Sequence, residues 1–148
     1  MTILEQIDKA TTEALKAGDR DRVTVLRGLK SDIKYAQIEH RENFGDPETI
    51  AVLSTCAKQR RDSIEQYAAG KRQDLVDKET RELAIITEFL PQQLSEDELR
   101  EIVAAAIREV NAGSPKDMGK IMQVVMPKIK GRADGKMVNK LVMEILAN

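Results

Sequence analysis

Aliphatic side chains recur at intervals of three and four residues along almost the whole chain, the period of a helix with one buried face. The pattern breaks into seven stretches, each bounded by a capping or breaking residue, and none alternates with the period of two that a half-buried strand needs. The predicted fold is therefore all-α. The first stretch runs from about Thr2 to Lys16, with Ile3, Leu4, Ile7, Ala10, Ala14 and Leu15 on one stripe. Gly18 ends it and Asp19 caps the second, which spans about Arg20 to Glu42 and turns Val23, Leu26, Leu29 and Ile33 inward. Asn43-Phe44-Gly45 breaks the chain again, and Asp46-Pro47 reads as an N-cap followed by a proline at the first helical position. The third helix then continues through Leu53 and Ala57 to Gly70.

Asp74 is expected to cap a fourth helix carrying Leu83, Ile86 and Leu90, halted at Pro91. Ser95 and Glu98 have the spacing of a capping box for a fifth, with Leu99, Val103 and Ala106 inside. Ser114-Pro115 restarts a sixth, which Pro127 should end or kink because proline removes a backbone donor. Asp134 caps the last, with Met137, Val138, Leu141, Val142, Ile145 and Leu146 facing in. The link Leu90-Pro91-Gln92-Gln93-Leu94 divides a four-helix lobe, residues 1–90, from a three-helix lobe, residues 91–148.

Charged residues make up 33% of the chain yet nearly cancel, to a net −1, so the solvated faces are of mixed sign. Aromatics are 3%, which leaves the core to aliphatic side chains. Cys56 is the single cysteine and has no internal disulfide partner, which favours a reducing compartment. No run of 18 apolar residues and no leader-like start is present, so a cytoplasmic location is expected, with no part for a membrane.

Positive charge is concentrated in one place. From Lys116 to Lys140 seven cations face only Asp117 and Asp134, a local balance of +5. Within it, Lys128-Ile129-Lys130-Gly131-Arg132-Ala133-Asp134-Gly135 joins two helical patterns. Lysines at a helix C-terminus are favoured by the helix dipole alone, which is the bland reading of Lys128, Lys130 and Arg132. Against it, only Lys130 of these three cations has a carboxylate four residues on, Asp134; the glycines leave the backbone open, and the next helix begins at once with amides that can receive a phosphate. The expected anion-binding set is Lys120, Lys128, Lys130, Gly131, Arg132, Gly135, Lys136 and Lys140. A secondary basic stripe on the second helix comprises Arg27, Lys30, Lys34 and Arg41, which the helical period keeps on one side. Lys58, Arg60 and Arg61 form a third cluster, read as surface paired with Asp62 and Glu65.

Catalytic chemistry finds no footing. His40 stands alone on a polar helix end and is read as solvent-exposed; Cys56 is read as a small core thiol. No P-loop, dinucleotide fingerprint or Ser-Lys amidase pattern appears, and neither a metal set nor a cofactor is expected. Five of the six methionines lie between residues 118 and 143 and are read as adaptable core.

The segments D-M-G-K-I-M (from Asp117), K-I-K-G-R-A-D-G-K-M-V-N-K-L-V (from Lys128) and E-F-L-P-Q-Q-L (from Glu88) resemble the GatB/YqeY family in its stand-alone, YqeY-like form. L-R-G-L-K from Leu26 and K-Q-R-R-D-S-I-E-Q-Y from Lys58 extend the resemblance over the full length. It implies two helical lobes and kinship with the C-terminal tail of the GatB subunit of tRNA-dependent amidotransferase. It further implies a tRNA-binding appendage that grips the outer body of folded RNA, with no DNA partner. An aminoacyl-tRNA synthetase or an amidotransferase is the implied protein partner. The alternatives are a protein–protein adaptor, or an accessory subunit of a glutamine-dependent tRNA amidotransferase. Family transfer would attach a carbon–nitrogen ligase activity with glutamine as amido-N-donor. The sequence supplies no ammonia source, activated carboxyl or nucleotide site for it, so no enzyme is expected.

Overall fold

The computed structural model describes residues 1–147. Among them are seven α-helices and one 3-10 turn, without a strand: α1 (Ile3–Ala17), α2 (Arg20–His40), α3 (Asp46–Ala69), α4 (Gln73–Thr87), α5 (Glu96–Glu109), the turn Pro115–Asp117, α6 (Met118–Ile129) and α7 (Gly135–Ala147). The all-α expectation holds. The chain divides into two compact units, Met1–Leu90 and Pro91–Asn148. No helix among the described residues is long and apolar enough to cross a membrane.

In the N-terminal unit α1 and α2 form one hairpin and α3 and α4 another, and α2 also packs on α3 and α4. A full capping box opens α1: Thr2 Oγ1 accepts from Glu5 N–H at 3.1 Å, and the Glu5 carboxylate accepts from Thr2 N–H at 2.8 Å. Gly18 closes it in the left-handed region, φ 73°, which glycine enters without steric cost. The core beneath is aliphatic: Ile7, Leu26, Leu29, Ile33, Leu53 and Ile86 are sealed from solvent, with Cys56 beside them.

Several helix ends differ from the sequence expectation. The N-cap of α3 is Gly45, whose N–H is taken by the Glu48 carboxylate at 2.8 Å. Asp46 stands inside the helix and its Oδ1 accepts from Ile3 N–H at 3.0 Å, tying the two N-termini together. Asp74 does not cap α4; it lies in the first turn, bonded through both oxygens to Arg72 at 3.2 and 3.1 Å. That guanidinium pulls the Asp74 carboxyl below its ordinary pKa. Helix α2 stops at His40, where Arg41 turns to φ 64°, and α4 stops at Thr87, short of Leu90.

The C-terminal unit is built on α5, against which α6 and α7 each pack. Leu99, Val103, Ile121, Val125, Ile129, Val138 and Leu141 fill its own core, which shares no buried residue with the first. Ser95 Oγ caps α5 by accepting from Glu98 N–H at 3.1 Å. Pro127 lies within α6, which runs on to Ile129 instead of ending at the proline. The reading of the methionines as core holds in part: Met118, Met122 and Met137 are half-buried and pack against it, whereas Met126 and Met143 are exposed.

Candidate nucleic-acid interface

The α6–α7 elbow begins where Ile129, buried in the C-terminal core, delivers the chain to Lys130 and Gly131. Gly131 takes φ 75°, a left-handed turn for which a glycine is the natural residue. Arg132 N–H closes the turn on Ile129 O at 2.7 Å. Asp134 then caps α7 as expected, its Oδ1 accepting from Lys136 N–H at 3.2 Å and its carbonyl from Val138 N–H at 3.2 Å.

A strap from the segment before α5 fixes this shape. Gln93 Nε2 donates to Gly131 O at 2.8 Å and to Pro91 O at 2.8 Å. Leu94 N–H donates to Arg132 O at 2.8 Å, and Arg132 Nε donates to Gln92 O at 3.2 Å. The strap thus holds the elbow by three hydrogen bonds, none of which involves a carboxylate, while the bond to Pro91 O is internal to the strap. Gln93 carries no expected role in the sequence, where Pro91 to Leu94 reads as a boundary and as part of a family segment. Its signal is weak: a long amide side chain in a proline-bounded link, whose neighbours leave carbonyls to be satisfied.

The expected site residues separate into groups. Lys120, Lys128, Lys130, Lys136 and Lys140 are all exposed, while Gly131, Arg132 and Gly135 are half-buried. Among the described residues Lys130 and Lys140 form no hydrogen bond or ion pair through their side chains, nor does Lys120. Lys128 reaches Glu109 of α5 at 3.9 Å, with both side chains more than half exposed, at 51% and 61%. A pair that long and wet is worth about 0–1 kcal/mol and does not commit the lysine. Arg132 gives its Nε to the strap and meets no carboxylate. No atom stands within 4 Å of where a Cβ would lie on Gly135, so the backbone at the start of α7 is open. Lys136 and Lys140 lie one turn apart on the outer face of α7, with Asn139 between them. Lys120 sits apart, near the start of α6 and about 12 Å along the axis from Lys128.

The stripe on α2 is not continuous. Lys30 Nζ is held by Asp8 Oδ1 of α1 at 2.6 Å, and Arg41 lies beyond the helix end. Arg27 and Lys34 remain exposed there without an ion pair. In the third cluster Lys58 pairs with Asp62 at 3.4 Å as expected. Arg60 instead faces α4, with Glu79 at 4.0 Å and Glu82 at 3.9 Å. His40 is exposed, its Nδ1 2.9 Å from Glu42 O and its ring edge-on to Phe44. No group of three or more His, Cys, Asp or Glu among the described residues is placed to hold a metal ion.

Residues 4–146 match the family model for Yqey-like protein. Altered inheritance of mitochondria protein 41, mitochondrial, of Pyrenophora tritici-repentis is 25% identical over 147 residues, which cover 97% of this chain and 81% of that protein. The protein of the same name from Lachancea thermotolerans is 34% identical over 112 residues, 74% of this chain and 60% of its own length. Since the family match takes in all but the first three and the last two residues, the chain belongs to the YqeY-like family.

Proposed function

We propose that this chain is a non-catalytic module that grips folded RNA, tRNA foremost, through phosphate contacts at the α6–α7 elbow. The supporting observation is a braced turn carrying cations that the protein itself does not use. Lys130 and Lys140 are exposed and unbonded, Arg132 meets no carboxylate, and Gly135 leaves an open helix start behind them. Amides at a helix start and clustered cations both favour phosphate. No aromatic side chain stands in this segment, so the grip is on shape and backbone, not on stacked bases. An amidotransferase or a synthetase that handles the same RNA is the natural partner, with the ligase chemistry residing there. The names of the relatives place those proteins in mitochondria. For this chain the reading requires a reducing compartment that contains folded RNA, cytoplasm or organelle interior.

Binding of unmodified tRNA transcript, measured by filter retention across a salt series, tests the reading. Neutralising about three phosphates gives a slope of log affinity on log salt of roughly −2 to −3. Because Arg132 also braces the elbow, the cleaner variant is Lys130→Glu with Lys140→Glu, both exposed and unbonded. It should abolish retention while helicity is unchanged; undiminished retention would overturn the proposal.

A further inference from the structure

The outer face of α2 carries a pattern that neither the fold nor the elbow explains. Its inner residues, Val23, Leu26, Leu29 and Ile33, are buried in the N-terminal core. Opposite them Thr24, Gly28, Ser31, Tyr35 and Ile38 recur at spacings of four, three, four and three, and all are exposed. Tyr35 and Ile38 are 68% and 74% exposed, and nothing stands within 4 Å of where a Cβ would lie on Gly28. Alternating intervals of four and three are those of the seam positions in a two-stranded helical pairing, and Tyr35 and Ile38 supply its large apolar side chains.

Charge flanks the seam on both sides. Arg20, Arg27 and Lys34 follow one another every seventh residue along one edge, and none is in an ion pair. Asp32 and Glu39, also seven apart, run along the other edge. Asp32 Oδ2 is 3.5 Å from the Cys56 thiol, and Glu39 has no partner among the described residues. Both are exposed. Arg27 precedes Asp32 by five residues, and Lys34 precedes Glu39 by five. Five residues is the offset at which flanking side chains of two parallel, in-register helices meet across a shared seam.

We infer that this face pairs two copies of the chain, α2 beside α2 in parallel across a two-fold axis, with Arg27 opposite the second copy's acid at position 32 and Lys34 opposite that at 39. An antiparallel arrangement sets each row against its like and is disfavoured. A polyanion would meet the cationic row but be repelled by the acidic one. Any partner of a single sign satisfies one row only, whereas a second α2 satisfies both at the correct interval. The seam from Thr24 to Ile38 is about 21 Å long and small-residued over half its length. Its area falls short of the roughly 800 Å² per partner of a standard interface, so the dimer is weak and concentration-dependent. The inference stands apart from the RNA reading, since it uses neither the elbow nor its cations.

Ser31→Cys in the full chain tests it, because Ser31 lies on the seam and the native Cys56 is buried. Mild oxidation should yield a disulfide-linked dimer, and so should Thr24→Cys at the end of the seam, where only a parallel, in-register pair brings the two copies together. Adding Lys34→Glu should suppress the cross-link, and adding Glu39→Lys to that should restore it, since the swapped rows match again. Sedimentation of the chain with native Ser31 should show self-association, weakened about tenfold by Lys34→Glu alone. A chain that stays monomeric at the highest concentration and does not cross-link would overturn the inference, as would a cross-link indifferent to Lys34→Glu. So would loss of tRNA retention in Lys34→Glu from a chain that sediments as a monomer, which would give the face to nucleic acid.

Discussion

The Cys56 thiol is 4% exposed, and burial first, then the nearby Asp32 carboxylate, pushes its pKa from the ordinary 9.0 up to about 11. The folded chain holds that proton more tightly than the unfolded one. This contribution to stability is therefore intact below pH 9 and is lost as pH climbs from about 9 towards 11. Urea midpoints at pH 8, 9 and 10 should fall more steeply for the native chain than for Cys56→Ala, and the thiol should resist alkylation until the chain unfolds. Cys56 is legible as a core thiol from its place beside Leu53 and Ala57; Asp32 as its neighbour is a contact between helices that spacing does not show. Gln93 is the opposite case, invisible in advance because an amide adds nothing to a hydrophobic period. Gln93→Ala deprives Gly131 O and Pro91 O of their donor and should cost about 1–2 kcal/mol in chemical unfolding. Faster amide exchange at Leu94 should accompany it.

At the scale of the helix, ends are harder to read than faces. The inward stripes of α1, α2, α5 and α7 follow from three-and-four spacing, except that Leu15 at the end of α1, expected inside, is 52% exposed. The α4 start departs from expectation because Asp74 has the chemistry of a cap, but here its carboxylate is engaged by Arg72. Pro127 has the chemistry to end or kink α6, yet the helix continues for two more residues. Where a cap is legible it should be measurable. Gly18→Ala forces a Cβ into the left-handed region at φ 73° and should cost about 1 kcal/mol, all of it backbone, as no atom stands near the new methyl. Ser95→Ala removes the acceptor for Glu98 N–H and should cost about 1 kcal/mol. Thermal unfolding of each variant against the native chain checks both.

For the molecule as a whole, each unit has a separate core, and a cavity should be felt where it is made. Leu141→Ala should cost about 2–5 kcal/mol and raise amide exchange across α5 to α7. Leu29→Ala should do the same across α1 to α4. The basic stripe of α2 shows why part of the site is illegible in advance: Lys30 is taken by Asp8, on a helix whose position no single-helix pattern reveals. The elbow is visible in the sequence as charge and glycine, but its bracing is not. That bracing comes from the Gln93 amide and from main-chain atoms, apart from one nitrogen of Arg132. Curvature and electropositivity therefore reside in different atoms and are free to drift separately through descent. A cousin stripped of its lysines would keep the bend and lose only its charge.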